Sequence, residues 1–148
     1  MVNGLYPKTI KEALQMKLQY PNALLITGGT DVMVVKKTAE HIIFLNNISE
    51  TKEVADTGEY ISIGAGACYA SLLKNSLVPE ILKKAMRTIA SPAVRSAGTV
   101  AGNICNASPA GDTLPILYAL GAEVVLSSID GDRVINRKLP IKEFILET

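Results

Sequence analysis

Apolar positions along the chain change period several times, and the changes mark its elements. Ile10, Ala13, Leu14 and Leu18 recur at helical spacing behind Thr9 and Glu12, a capping-box pair, and Pro21-Asn22 stops the helix they predict. Ala23–Ile26 and His41–Leu45 are short apolar runs bounded by turn residues, as buried strands are. Between them Val32–Val35 either opens a second helix behind a Thr30 or Asp31 cap, which the motif's geometry favours, or continues an extended segment, and Asn46-Asn47 closes the second strand in a loop. The polar run from Ser49 to Glu59 then suits a connection between two lobes.

Beyond it, Tyr60–Ile63 alternates like a half-buried strand and ends in Gly64-Ala65-Gly66-Ala67. Tyr69–Leu73 makes a short helix. Pro79 stands at the first position of a longer one, whose buried face is Ile81, Leu82, Ala85, Met86 and Ile89, with Lys83, Lys84 and Arg87 turned outward; Ser91-Pro92 ends it. Leu114, Leu117, Tyr118 and Leu120 give the buried face of a helix starting near Asp112 and stopped by Gly121. Asp130-Gly131 between two apolar runs signals a hairpin, and a short helix follows over Ile141–Ile145. The pattern predicts an α+β fold with two lobes: a small parallel α/β unit to about residue 48, and a mixed or antiparallel sheet with helices over 49–148.

Composition narrows the chemistry. A chain of 148 residues with 48% hydrophobic and 20% charged residues buries a core, and its net charge of +1, without a Lys/Arg-rich run, leaves no nucleic-acid footprint. No apolar run approaches the ~20 residues of a membrane span, and the Met1-Val2-Asn3-Gly4 start lacks a signal peptide's regions. The expected location is cytoplasmic. Cys68 and Cys105 form no metal-binding pattern, and His41, the only histidine, excludes a site needing two. It reads as a strand-edge residue, not as a covalent attachment point.

Two stretches interrupt the regular patterning. Thr99–Asp112, T-V-A-G-N-I-C-N-A-S-P-A-G-D, mixes glycine, proline and polar residues, so it is expected outside the core, as a turn rich in backbone N–H groups rather than one regular element. Its Asp112 is a candidate helix cap. Ile26-Thr27-Gly28-Gly29-Thr30-Asp31-Val32 ends a strand in paired glycines, a second place where backbone donors are bared for an anion.

These motifs in this order, G-G-T-D after an early strand and then V-R-S-A-G-T-V-A-G-N-I-C-N-A-S-P-A-G-D-T-L-P, resemble the FAD-binding medium subunit of the molybdenum hydroxylases, the family of xanthine and carbon monoxide dehydrogenases. The resemblance runs from about Tyr6-Pro7 to the end of the chain. It implies the two-lobed FAD-binding fold of the PCMH and CO dehydrogenase flavoprotein type, with FAD between the lobes and its pyrophosphate over Thr27, Gly28, Gly29, Thr30 and Asp31. Thr99, Gly102, Asn103, Ser108 and Asp112 are implied to take further pyrophosphate, ribityl and adenosine-side contacts, with Ile26, Val32 and Cys105 beside them. Gly28, Gly29 and Asn103 are expected to serve the cofactor and not the fold. No catalytic or metal-binding side chain is expected.

The resemblance further implies an oxidoreductase subunit that passes electrons from a molybdenum-cofactor large subunit and a 2Fe-2S small subunit, through FAD, to NAD or another acceptor, with self-association a further expectation. Ala101 departs from the family pattern, standing where a first glycine is usual and adding a methyl group at a close backbone approach. The family's C-terminal domain has no counterpart in these 148 residues, so an incompletely enclosed flavin is expected. Two other readings fit the residues: a stand-alone flavin reductase of related fold, and a non-catalytic FAD-binding or assembly module.

Overall fold

The computed structural model describes residues 2–34, 39–108 and 111–145. The Val35 end of the helix expected after the glycine turn, and Pro109-Ala110, lie outside them.

The first part of the chain is a parallel sheet with a helix. Strands β1 (Asn3–Leu5), β2 (Leu24–Ile26) and β3 (His41–Phe44) align in the order β1-β3-β2, with Gly4 opposite Ile42 and Ile26 opposite Phe44. β1 has no apolar run of its own; its pairing with β3 makes it a strand. Helix α1 (Ile10–Gln19) joins β1 to β2, and its start carries the expected capping box. The Thr9 hydroxyl accepts from the Glu12 N–H at 3.1 Å, and the Glu12 carboxylate reaches back to the Lys8 N–H at 2.7 Å. Ala13 is the buried residue of the helix. Leu18, expected in the core, is exposed because the packed stripe is narrower than the apolar one.

Helix α2 (Thr30–Val34) follows Gly29, whose φ of 65° turns the chain, so Thr30 is the first helical residue rather than the cap. His41 opens the central strand, not an edge, and stacks on Tyr20 at 4.1 Å.

The polar run over 49–59 is more structured than a connection. Two 3-10 turns, Leu45–Asn47 and Ser49–Lys52, flank the fully buried Ile48, and β4 (Val54–Asp56) pairs antiparallel with β5 (Ile61–Ile63). From there helices dominate: α3 (Tyr69–Lys74), α4 (Glu80–Thr88), α5 (Pro92–Ala97), α6 (Val100–Asn106) and α7 (Thr113–Ala119). Pro79 caps α4 instead of lying inside it. Leu82 and Met86 are buried by α7, while Ile81 is exposed.

Ser91-Pro92 ends one helix and starts another. Ala90, at φ 43°, reverses the chain, the Ser91 hydroxyl accepts from the Val94 N–H, and Pro92 occupies the first turn of α5, where its missing N–H costs nothing. Arg95 closes this corner by donating to the carbonyls of Ile89 and Ala90 at 2.7 and 2.8 Å.

A ten-residue hydrophobic cluster, drawn entirely from Ala67 onward, holds this part together; Tyr69, Leu72, Leu82, Met86, Val100, Leu114, Leu117 and Ile141 belong to it. Tyr118 and Leu120, expected in it, are exposed, since α7 presents only Thr113, Leu114 and Leu117 inward. Strands β6 (Glu123–Asp130) and β7 (Arg133–Pro140) form the hairpin. Its turn is Gly131-Asp132, one residue later than Asp130-Gly131, because Asp130 still pairs with Arg133 and the positive φ falls on Gly131. Helix α8 (Ile141–Phe144) seals the base, its Ile141 N–H bonded to the Ala122 carbonyl at 2.9 Å. The α+β class stands.

Candidate functional site

The first half of the Thr99–Asp112 stretch is a helix and not a turn. Thr99 and Val100 are buried, the Thr99 hydroxyl accepts from the Gly102 N–H at 2.9 Å, and α6 runs through Gly102 and Asn103 until Ala107 turns left-handed at φ 46°. One glycine costs a short helix only about 1 kcal/mol, which the Thr99 cap offsets. Gly111 falls after the helix and so never had to break it. Asp112 precedes α7 in helical conformation and makes no side-chain capping bond.

Helix α6 faces the glycine turn across an open cavity of about 530 Å³. One wall is β2 and the turn, with Ile26, Thr27, Gly28, Gly29, Thr30, Asp31 and Val32; the other is Thr99, Gly102, Asn103 and Cys105, with Ile89, Val94 and Tyr69 behind. Eleven of the thirteen site residues named from the sequence therefore line one cavity. Ser108 and Asp112 are not among its lining residues, and neither is Ala101, whose methyl group sits within α6. Ile89, Val94 and Tyr69 were not anticipated; their apolar, helical context reads as core in sequence, and nothing in the residues marks them as cavity wall.

The two walls meet at two points. The hydroxyls of Thr27 and Thr99 lie 3.3 Å apart, a hydrogen bond that either can donate. At Gly28 the backbones themselves touch: a Cβ there would stand 2.0 Å from the Ala97 carbonyl oxygen and 2.7 Å from its carbon. Gly28 therefore serves the fold, correcting the expectation that it acts on a ligand alone. Gly29 has room for a side chain except at Ile26, 3.2 Å away, but its φ of 65° disfavours one. Gly102 is different again, since a Cβ there would come 3.0 Å from the Thr99 hydroxyl and enter the space between the walls.

Asn103 also has a structural tie. Its Oδ1 accepts a short hydrogen bond from the hydroxyl of Thr113, a fully buried residue of α7. That bond fixes the carboxamide's orientation and links the cavity wall to the helix beneath it.

Charge in the cavity is sparse. Among the described lining residues none is a Lys, Arg or His, and Asp31 is the only carboxylate. Desolvation raises the Cys105 thiol's pKa although much of the residue's surface is exposed, because the thiol belongs to a concave wall. Burial likewise pushes the Tyr69 phenol up to about 12, so its proton stays in place. Cys68, at the start of α3, is not among the lining residues; burial raises its pKa, and hydrogen bonds from Ser71 and the first-turn backbone lower it by more in sum. Among the described residues no group of three or more His, Cys, Asp or Glu could hold a metal ion, and no helix is long and apolar enough to cross a membrane.

The family model described as the FAD binding domain in molybdopterin dehydrogenase matches residues 1–148. The chain belongs to this family. Similar relatives include the glyceraldehyde dehydrogenase medium chain of Sulfolobus acidocaldarius, 32% identical over 87% of this chain and 48% of its own length. The carbon monoxide dehydrogenase medium chain of Hydrogenophaga pseudoflava is 30% identical over 96% of this chain and 51% of its own. A solved structure of carbon monoxide dehydrogenase from the same organism superposes with a TM-score of 0.89 at 28% identity, over 98% of this chain and 52% of that one. The fold also recurs in quinoline 2-oxidoreductase from Pseudomonas putida 86, TM-score 0.88. The chain thus spans about half the length of these medium chains. The cofactor of this FAD-binding domain family is FAD, and the residues present suit it: the glycine turn and the head of α6 face each other across the cavity, and the neutral hydroxyls of Thr27 and Thr99 stand between them.

Proposed function

We propose that this chain is the FAD-binding part of a molybdenum-hydroxylase-type oxidoreductase and holds FAD non-covalently in the cavity between the glycine turn and α6. The observation that carries the reading is the convergence of Thr27–Asp31 and Thr99–Asn103, 72 residues apart at Thr27 and Thr99, on one space of ligand size. The pyrophosphate lies over the turn, where backbone N–H groups and the Thr27, Thr30 and Thr99 hydroxyls meet it. Ile26, Val32 and Cys105 pack beside the cofactor; Gly102 and Asn103 approach it from α6, with Ser108 and Asp112 at the far end of the same stretch.

The division into lobes at about residue 48 belongs to this proposal. It is supported by the hydrophobic cluster, which takes no member from the parallel sheet. Bound flavin supplies the redox chemistry, accepting electrons and passing them on. The chain's own residues bind it, orient it and limit water around it. In the complete enzyme, electrons arrive from a molybdenum-cofactor large subunit by way of a 2Fe-2S small subunit and leave to NAD or another acceptor. A cytoplasmic location accords with the free thiols of Cys68 and Cys105.

Reconstitution tests this reading. The chain mixed with FAD and desalted should stay yellow, quench flavin fluorescence, and release all flavin on acid precipitation. Retention of FMN or riboflavin as strongly as FAD would contradict a pyrophosphate site, and flavin remaining in the acid pellet would contradict non-covalent binding. Copurification of large and small subunits with the tagged chain tests the assembly; NADH oxidation by the chain without them would support a stand-alone reductase.

A further inference from the structure

Thr99 and Thr113 are the buried polar residues among those described. The Thr99 hydroxyl has a local task, capping α6. Thr113 is fully buried at the start of α7, beside the core residue Leu114, and packing there does not call for an oxygen, since valine has the same outline. Its hydroxyl crosses instead to α6 and donates to Asn103 Oδ1. The Tyr69 phenol also stands beside this hydroxyl, but burial raises its pKa to about 12, so at neutral pH no phenolate competes for the Thr113 proton. The backbone leading into α7 packs along the same carboxamide: a Cβ at Gly111 would lie 3.4 Å from Asn103 Oδ1 and 3.6 Å from Nδ2.

Asn103 lines the cavity, and Thr113 does not. A carboxamide has an acceptor end and a donor end, and unheld it can turn either one to a ligand. With Oδ1 committed to the buried Thr113, Asn103 has only the Nδ2 donors to offer. We propose that Thr113 is a positioning residue for the cofactor, its hydroxyl holding Asn103 so that Nδ2 donates to an acceptor oxygen or nitrogen of the ligand. This rests on the reading of the cavity as an FAD site. Holding the carboxamide before the ligand arrives removes the cost of ordering it on binding and suppresses the orientation that sets acceptor against acceptor.

FAD titrations of the full chain, followed by flavin fluorescence, test the relay. Thr113→Val should bind FAD about tenfold more weakly, and Thr113→Ser, which keeps the hydroxyl, should restore most of the affinity. In an Asn103→Ala background Thr113→Val should change affinity no further, because Thr113 reaches the ligand only through Asn103. Asn103→Asp still accepts from Thr113 but presents oxygen in place of Nδ2, and should bind FAD no better than Asn103→Ala. In wild-type protein the Asn103 Nδ2 resonances, identified by their loss in Asn103→Ala, should move when FAD is added. Wild-type affinity in Thr113→Val, or an equal loss with and without Asn103, overturns the proposal and leaves the bond as a tie between α6 and α7. Wild-type affinity in Asn103→Asp, or Nδ2 resonances that ignore bound FAD, overturns the donor role, and each of these four results leaves the FAD site standing. Wild-type protein that binds no FAD overturns the cavity assignment and this relay together.

Discussion

Gly28→Ala separates a residue that serves the fold from one that serves the ligand. If Gly28 only allowed a cofactor to approach, alanine would leave the FAD-free protein unchanged or stabilise it by about 0.4–1 kcal/mol, through a stiffer unfolded chain. The structure requires the reverse. The new methyl carbon would stand 2.0 Å from the Ala97 carbonyl oxygen, 2.7 Å from its carbon and 3.1 Å from Gly98 Cα, all backbone atoms that no side-chain rotation can clear. Relieving the first contact to an ordinary separation moves one segment by more than ~1 Å, and Gly98-Thr99 at the head of α6 moves with it. Overpacking of this kind costs about 1–3 kcal/mol in a side-chain core and is at the upper end or beyond where backbone meets backbone.

Urea unfolding of the FAD-free chain, followed by circular dichroism, should thus show Gly28→Ala less stable by about 3 kcal/mol with an unchanged m-value. Gly102→Ala is the contrasting case. Its methyl group meets the Thr99 hydroxyl at 3.0 Å, a helix gain of about 1 kcal/mol opposes that crowding, and stability should change by less than ~1 kcal/mol while FAD binding weakens. Gly28→Ala protein as stable as wild type without FAD would refute the backbone contact between the two walls.

Three further outcomes follow from the same geometry. Alkylation of Cys105 should slow when FAD is added, while Cys68, not among the cavity-lining residues, should react at the same rate with or without it; mass spectrometry of the two peptides reads both. The Tyr69 phenol is raised from 10.0 to about 12, so between those pH values the folded state holds a proton that the unfolded state has lost, and stability must fall as pH rises through that window. The loss is on the order of 2 kcal/mol in wild type and absent in Tyr69→Phe, measured by unfolding at stepped alkaline pH. Arg95→Met removes two charge-assisted bonds to the Ile89 and Ala90 carbonyls, and should cost about 2 kcal/mol of stability in urea unfolding; no loss would show that Pro92 and Ser91 hold the corner without it.

The parallel sheet was legible because β2 and β3 are apolar on both flanks and punctuated by Pro21-Asn22 and the glycine pair. β1 was not, since Asn3-Gly4-Leu5 owes its extended state to β3 alone. Local signals named the glycine turn and the Thr99 stretch as places of bared backbone, and the structure brings them together. Their conformations were harder: a seven-residue helix containing glycine, two asparagines and a cysteine has no apolar period, and its existence depends on the Thr99 cap and on burial of Val100. Gly28 against Ala97 is a contact between residues 69 positions apart, which no local pattern encodes. Nor could sequence show that Tyr69 belongs both to the core cluster and to the cavity wall, because that depends on which distant residues pack around it.

Hydrogen exchange with and without FAD tests the central claim most directly, because it reports where the cofactor lies as well as that it binds. Peptides covering Ile26–Val32 and Thr99–Asn106 should exchange more slowly with FAD, and those covering Gln19–Ala23 and His41, which line the separate pocket of about 220 Å³, should not change. Protection confined to the Tyr20 and His41 pocket, or absent from either of the two cavity walls at saturating FAD, would contradict the account.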